Sequence, residues 1–315
     1  MALDSAVQDF LQAKPDSGDA DAPVQERRRA IREASDRMFA TYSEFGPEVH
    51  EVFTRTVPAG GSLRLKVYRP SDQAGLPVHV FFHGGAFWLG SVDELVVDAT
   101  CRERCLGANV VVVSVDYGLA PEHPYPGPVE DGLAALAWTV AHAAELGGDA
   151  ENVTIGGVSA GATLAAAVAL RSRELDRVRL RGQILEVPLL DLTLKTLQQS
   201  GVGDSYGIRA DELQLCTDLY LPSPEVAAEA GASPLLAADL GGAPAAWILT
   251  AEFDPLRDDG AHYAARLNEA GVAAEHFRAP GAVHGSIVLT RTWAPARAWR
   301  ERVLGAIVAA HRTAF

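Results

Sequence analysis

The chain alternates between short apolar runs and longer amphipathic stretches. The runs at 78–82 and 110–115 are rich in β-branched and aromatic residues, and further strands that continue the series are predicted at 153–156, 182–187 and 246–250. Uninterrupted runs of this kind are typical of strands buried on both faces of a parallel sheet. Helical stretches separate or follow them, at 95–106, 129–145, 164–175 and 260–270. The alternation predicts an α/β protein with a doubly wound, mostly parallel sheet.

The two ends of the chain extend this pattern. Residues 1–48 are predicted to be helical, with a break at 15–18, because Pro and Gly interrupt the periodicity there. Residues 51–68 alternate apolar and polar positions, which predicts an antiparallel hairpin. A short strand at 274–278 and a helix at 294–312 close the chain, so that the sheet has about eight strands.

One connection is longer than the rest. Nearly sixty residues separate the strand that ends at Val187 from the one that begins at Ala246. This exceeds an ordinary loop. We interpret residues 191–222 as an element that covers a site, together with the N-terminal helices.

Composition limits the class of protein. A chain of 315 residues, 48% of them hydrophobic, can bury a large core, and one α/β domain with a small cap fits better than two equal domains. A net charge of −14 and a pI near 5.0 argue against nucleic acid or an anionic membrane surface as partner. No apolar run reaches the roughly 18 residues of a membrane span. The N-terminus lacks the features of a signal peptide, so a cytoplasmic location is expected.

The three cysteines fit that compartment. Cys101 and Cys105 lie on a predicted helix and Cys216 lies far away, with no metal-ligand spacing among them. Buried or idle thiols are favoured over a disulfide or a metal site, and no metal is expected.

A candidate nucleophile lies where the strand at 153–156 meets the following helix. The pentapeptide Gly157-Val158-Ser159-Ala160-Gly161 predicts a tight strand–turn–helix elbow that holds the serine hydroxyl out of the sheet. The helix N-terminus behind it favours an anion at the same point. A glycine-rich turn with a surface serine is the alternative interpretation.

A serine hydroxyl needs a base within hydrogen-bond reach and an acid that orients the base. Asp254 and His284 each follow a predicted strand, in the chain order that such an elbow requires. Asp254 could instead cap a turn, and His284 could be a loop histidine without a role. Three other acids are alternatives to Asp254: Glu252, Asp258 and Asp259.

The reacting carbonyl also needs N–H donors for its developing negative charge. Gly84 and Gly85 directly follow a buried strand, and we assign them to the oxyanion hole, with the N–H of Ala160 as third donor. A plain glycine turn is the alternative. Phe87 and Trp88 come next and are predicted to wall a substrate pocket, although one or both could belong to the core.

These motifs together resemble the hormone-sensitive-lipase-like branch of the α/β-hydrolases, the bacterial family IV carboxylesterases. The resemblance runs from about Val24 to the C-terminal helix. It is carried by four blocks in the family's order: His83-Gly84-Gly85-Ala86-Phe87, the run from Asp116 to Pro126, Gly157-Val158-Ser159-Ala160-Gly161, and Asp254-Pro255-Leu256-Arg257-Asp258 with His284-Gly285.

The resemblance implies an α/β-hydrolase fold and a serine carboxylesterase that hydrolyses short- to medium-chain acyl esters without a cofactor. Ser159, Asp254 and His284 would form the triad. Residues 1–48 would be an N-terminal helical cap segment and residues 49–315 the catalytic domain, with 191–222 contributing to the cap. Relatives often pair through the edge strand or final helix, so a homodimer is possible.

Four positions depart from the family pattern. Ala86 replaces a glycine of the oxyanion loop, which is the segment 83–86. Val158 replaces the aspartate before the nucleophile, Gly118 replaces an arginine, and Ser286 replaces a phenylalanine. None of these changes removes a predicted catalytic group. The sequence leaves two alternatives: a deacetylase, amidase or lactonase with the same triad, and a ligand-binding protein on a hydrolase scaffold.

Overall fold

An eight-stranded sheet runs through the molecule. The computed structural model describes residues 3–14, 22–58, 62–175, 178–203 and 206–312. The strands are β1 (Glu51–Pro58), β2 (Ser62–Arg69), β3 (Leu76–Phe82), β4 (Val111–Asp116), β5 (Gly148–Val158), β6 (Leu180–Glu186), β7 (Ala246–Ala251) and β8 (Ala274–Ala279). Their order across the sheet is β1-β2-β4-β3-β5-β6-β7-β8. The predicted α/β fold with a mostly parallel sheet is confirmed.

Strand burial follows the sequence pattern. β3 and β4 lie inside the sheet, and their valines and phenylalanines are almost completely buried because helices cover both faces. β2 pairs antiparallel with both β1 and β4. Its alternate residues Leu63, Leu65 and Val67 point into the core, as the period-two pattern predicted.

Nine α-helices surround the sheet within the described ranges. They are α1 (Ser5–Ala13), α2 (Val24–Tyr42), α3 (Leu95–Gly107), α4 (Gly127–Ala141), α5 (Ala160–Arg171), α6 (Lys195–Gln199), α7 (Ala210–Tyr220), α8 (Arg257–Glu269) and α9 (Ala294–Arg312). α5 is buried along nearly its whole length, and its small alanines allow close packing against the sheet. None of the helices in this described part is long and apolar enough to cross a lipid bilayer.

Several helix boundaries differ from the sequence-based expectation by up to four residues. The helix predicted at 164–175 begins four residues earlier, because the chain turns into α5 directly at the serine elbow. The helix predicted at 129–145 ends at Ala141, and a 3₁₀ turn over Ala143–Leu146 follows it. The predicted break at 15–18 lies outside the described residues.

The N-terminal helices meet the long connection between β6 and β7. Phe10 of α1 packs edge-on against Tyr42 of α2, with ring centroids 6.2 Å apart. The Lys14 ammonium lies 3.3 Å from the Glu212 carboxylate of α7 and also donates to the Gly207 carbonyl. These contacts join the two segments that the sequence assigned to a cap. The division into cap and catalytic domain stays a prediction.

A buried ion pair links α3, β6 and α9. The Arg104 guanidinium donates to the Glu186 carboxylate, and both side chains are only 4% exposed. The indole Nε1–H of Trp299 donates to the second Glu186 oxygen at 2.6 Å. Arg104 also lies over the Phe81 ring at 4.2 Å. Because both charges are withdrawn from water, each depends on the other for compensation.

We expect Arg104→Met to lower the free energy of unfolding by about 3–5 kcal/mol, because the Glu186 carboxylate loses its counter-charge in the interior. Replacing both partners, as Arg104→Met with Glu186→Leu, should cost less than the single change. Urea denaturation of the three proteins measures this difference.

The exposed pair between Arg209 and Asp211 provides the control, since both side chains are more than half exposed. Asp211→Asn should leave the urea denaturation midpoint close to that of the wild-type protein, because solvent screens an exposed ion pair. Additive losses in the Arg104/Glu186 double variant would contradict the interpretation.

Candidate active site

Ser159 occupies a sharp turn between β5 and α5. Its backbone has φ 55° and ψ −123°, which is unusual for a residue with a Cβ. Its N–H donates to the Glu186 carbonyl at 2.8 Å, so the turn is fastened to the end of β6. The surrounding hydrogen bonds and packing hold this strained conformation.

The glycines on either side of the turn are required because there is no room for a side chain at either position. A Cβ on Gly157 would overlap the Gly161 carbonyl, and a Cβ on Gly161 would overlap the carbonyl oxygens of Phe82 and His83. Strand β5, helix α5 and the end of β3 therefore approach each other more closely than alanine allows. This is the physical reason for the Gly-x-Ser-x-Gly spacing.

Three side chains form one hydrogen-bonded chain. The Ser159 hydroxyl lies 3.1 Å from Nε2 of His284, and Nδ1 of His284 lies 2.7 Å from Oδ2 of Asp254. Asp254 is fully buried, and His284 is 14% exposed. With Nδ1–H donating to the carboxylate, Nε2 is free to accept the serine proton. The structure thus brings together the three residues nominated from the sequence.

The three alternative acids are engaged elsewhere. Glu252 accepts the Gly281 N–H at 2.7 Å, and Asp258 forms an ion pair with Arg278 at 2.7 Å. Asp259 accepts the N–H groups of Leu190 and Asp191 at 2.7 and 2.9 Å. Asp254 is the acid that meets the imidazole.

The loop that carries His284 is braced by Ser286. The Ser286 hydroxyl donates to the Val283 carbonyl at 2.8 Å and accepts the Val283 N–H at 3.1 Å. Gly285 has φ 82°, and a Cβ there would lie 3.4 Å from the ring of Phe10. Where the family has a phenylalanine, this chain thus has a small, buried, hydrogen-bonding residue two positions after the histidine.

Gly84 and Gly85 lie beside the serine turn. A Cβ on Gly84 would lie 3.7 Å from that of Ser159, and Gly85 has φ 130° with no space for a side chain against Leu89. Within the described residues, no acceptor engages the N–H groups of Gly84, Gly85 or Ala160. Three donors are thus available near the hydroxyl, and Ala86 adopts φ 52° although it replaces a glycine.

His83 and Tyr117 hold this loop from below. The Tyr117 hydroxyl donates to the His83 carbonyl at 2.8 Å, and the two rings stack with centroids 4.4 Å apart. Nδ1 of His83 lies 2.8 Å from the Gly84 carbonyl, and burial lowers the pKa of His83, which favours the neutral ring. Sequence reasoning did not single out Tyr117. Its position at the carboxyl end of β4, next to β3, was the available signal.

Phe87 and Trp88 are buried in the core, which is the alternative that the sequence left open, and neither lines the cavity that adjoins Gly84 and Gly85. Phe87 has φ 66°, which turns its side chain into the core, where it stacks on Tyr220 at 3.9 Å. Trp88 is 4% exposed and lies under the Arg27 guanidinium. Leu89, the next residue, lines the cavity instead.

A cavity of about 560 Å³ adjoins the oxyanion loop. It is bounded by α2, α3 and α9, and Gly84, Gly85 and Val158 lie on its wall. Val158 thus presents an apolar surface where the family has an aspartate. The volume of the cavity falls in the range of small-molecule sites.

Two other sequence features have structural explanations. A Cβ on Gly118 would lie 2.8 Å from Cγ of His123, so this position excludes a side chain.

The three cysteines are unpaired and buried. Burial raises the pKa of each thiol to about 12, which keeps it protonated and unreactive.

The fold and this arrangement of residues define an α/β-hydrolase. A family model described as alpha/beta hydrolase fold matches residues 79–288, and the chain belongs to this family.

Named relatives agree with this assignment. The chain is 39% identical over 259 residues to Carboxylesterase NlhH of Mycobacterium tuberculosis, covering 80% of each protein. It is 34% identical over 278 residues to an arylesterase of Saccharolobus solfataricus, covering 80% of this chain and 86% of the relative. The solved structure of a hyperthermophilic esterase from Pyrobaculum calidifontis is similar, with a TM-score of 0.90, 34% identity, and coverage of 98% of this chain and 99% of that one.

The close approach at the elbow generates a stability prediction. Gly161→Ala should lower the free energy of unfolding by about 1–3 kcal/mol, because the new methyl group displaces α5 from β3. Gly305→Ala is the matched control, since Gly305 lies exposed within α9 and nothing lies within 4 Å of the added carbon. That change should raise stability by about 0.5–1 kcal/mol. Thermal or urea denaturation distinguishes the two, and similar effects at both sites would contradict the steric argument.

Proposed function

We propose that this protein is a serine carboxylesterase that hydrolyses small-molecule esters of short to medium acyl chain through an acyl-enzyme intermediate. The observation that carries the proposal is the hydrogen-bonded chain from Asp254 through His284 to Ser159 at a strained elbow. The esterase names of several relatives support it.

In the first half-reaction, the Ser159 hydroxyl attacks the ester carbonyl carbon while Nε2 of His284 accepts its proton. The resulting imidazolium then donates that proton to the leaving alcohol. The carbon–oxygen bond to the alcohol breaks, and the acyl group stays on Ser159.

In the second half-reaction, water attacks the acyl-enzyme and gives its proton to the same imidazole. Asp254 orients the ring and stabilises its positive charge, and the buried carboxylate does not itself take the proton. His284 then returns the proton to Ser159, which releases the carboxylic acid.

The tetrahedral intermediates carry a negative charge on the former carbonyl oxygen. The N–H groups of Gly84, Gly85 and Ala160 are the proposed donors to it, and the positive end of α5 adds to their field. Removing one such donor typically costs about 3 kcal/mol or more of transition-state stabilisation.

The remaining sequence-based expectations form part of the proposal. The unpaired, buried cysteines support a cytoplasmic location. The strongly acidic composition supports a role without nucleic acid. A homodimer through the β8 edge or α9 stays a prediction. The proposed reaction uses no cofactor and no metal.

The first test measures hydrolysis of p-nitrophenyl esters from acetate to palmitate. We expect the short esters to be cleaved fastest. Ser159→Ala should lower kcat by about 10⁴- to 10⁶-fold without changing the thermal midpoint, because the nucleophile is lost and packing is preserved. Near-normal activity in that variant would exclude Ser159 as nucleophile.

Substrate and label controls separate the alternative functions. A matched p-nitroanilide and a lactone test for amidase and lactonase activity. Fluorophosphonate labelling of Ser159 without turnover of any ester would point to a binding role or a specialised substrate.

A second test addresses the acid. Asp254→Asn should lower kcat by about 10⁴-fold, because the amide stabilises the wrong imidazole tautomer. Glu252→Gln is the matched control on the same loop, and its effect on kcat should be less than about tenfold, since Glu252 binds the Gly281 N–H rather than the imidazole. Equal losses in both variants would contradict the assignment of Asp254.

A further inference from the structure

The cavity beside the oxyanion loop lies next to the proposed position of the ester carbonyl. An ester carbonyl oxygen at Gly84 and Gly85 has its two substituents directed away from these donors. Because both glycines and Val158, the neighbour of Ser159, lie on the cavity wall, the cavity offers space for one of these substituents. The groups on its wall are then the groups that such an arm would contact.

Most charged groups on this wall already have partners. Arg28 pairs with Glu122 at 2.7 Å, and Arg104 pairs with Glu186. Arg300 lies 2.9 Å from the carboxylates of both Glu44 and Glu103. These groups are neutralised within the protein and are not available to a ligand.

Glu94 differs from them. It lies at the N-cap position of α3, yet its side chain does not cap the helix. Across the residues that the structure describes, its half-buried carboxyl group forms neither a hydrogen bond nor an ion pair. Glu94 lines the cavity, and its carboxyl oxygens are available to accept hydrogen bonds from a ligand.

Arg32 lines the same cavity from α2, at its exposed mouth. One of its N–H groups donates to the Asp93 carbonyl at 3.2 Å. Arg32 lowers the pKa of Glu94 through its charge, so the two groups lie near each other without forming a contact ion pair. A guanidinium has five N–H donors, so donors on Arg32 are free for a ligand.

The charges around Glu94 restrict what fits between the two groups. Arg32 disfavours an ammonium group, whereas Glu94 and the nearby Asp36 disfavour a carboxylate. Burial raises the pKa of Glu94 to about 7, and the charge of Asp36 adds to this effect. The carboxyl group is therefore partly protonated at neutral pH. A neutral hydroxyl group, which both donates and accepts, matches this pair.

We propose that Glu94 and Arg32 form a polar subsite for a hydroxyl group on the ester arm that enters the cavity. The preferred substrates are then esters of hydroxylated acids or hydroxylated alcohols rather than plain alkyl esters. The hydroxyl donates a hydrogen bond to the Glu94 carboxyl group, and Arg32 donates one to the hydroxyl oxygen. This inference deepens the proposed esterase function and rests on it.

The test compares kcat/KM within two matched pairs of esters. Hydrolysis is measured by pH-stat titration of the released acid at pH 8. Ethyl 3-hydroxybutyrate against ethyl butyrate places the hydroxyl on the acyl arm. 3-Hydroxybutyl acetate against butyl acetate places it on the alcohol arm. We expect the wild-type protein to favour the hydroxylated ester about tenfold in one pair, and that pair identifies the arm in the cavity.

Glu94→Leu and Arg32→Met should each reduce this preference by about tenfold, whereas Glu94→Gln, which still accepts a hydrogen bond, should retain most of it. Glu103→Gln is the control on the same helix and cavity wall. Its carboxyl group is already bound by Arg300, so the preference should stay at the wild-type ratio. Circular dichroism and thermal midpoints check that the variants are folded.

A hydroxyl preference absent from both pairs, or equal in wild type and Glu94→Leu, would overturn the subsite and leave the esterase function standing. Absence of any Ser159-dependent turnover of all four esters would overturn both proposals.

Discussion

The structure depends on the strained turn at Ser159. A residue with a Cβ adopts φ 55° only when its surroundings compensate for the strain, and here the Ser159 N–H is bound to the end of β6 while α5 packs against β3. The close approach at Gly157 and Gly161 makes both possible. The same approach brings the oxyanion loop, which continues from β3, next to the hydroxyl. One steric constraint thus positions the nucleophile and its anion donors together.

The buried charge behind this turn has a clear structural consequence. The backbone carbonyl of Glu186 fastens the nucleophile turn, and its side chain binds Arg104 and Trp299. One residue therefore connects the elbow to α3 and α9. Buried pairs are weak evidence for added stability, because desolvation offsets their attraction. What the pair supplies here is a fixed relation between three elements that also bound the cavity.

The site is assembled from the carboxyl ends of neighbouring parallel strands. β3 leads to the oxyanion loop, β4 to Tyr117, β5 to Ser159, β7 to Asp254 and β8 to His284. Parallel strands place their following loops along one edge of the sheet, so residues far apart in the chain meet there. The cavity next to this edge is bounded by α2, α3 and α9, and these helices carry most of the charged groups on its wall.

The sequence by itself determined the α/β fold, the mostly parallel sheet and most element boundaries, because apolar periodicity and glycine positions are local signals. It also nominated Ser159, Asp254 and His284, since the chemistry of a serine nucleophile requires those residue types after successive strands. Their distances, and the other partners of Glu252, Asp258 and Asp259, could not be obtained from the sequence.

Only the tertiary structure decided which side chains face the cavity. Phe87 lies in the core with a left-handed backbone, whereas the sequence left both the core and the pocket wall open for it. Glu94 has an unused carboxyl group, while Glu103 on the same helix is paired with Arg300 from the far end of the chain. Such differences arise from contacts between residues distant in sequence, and local pattern carries no information about them.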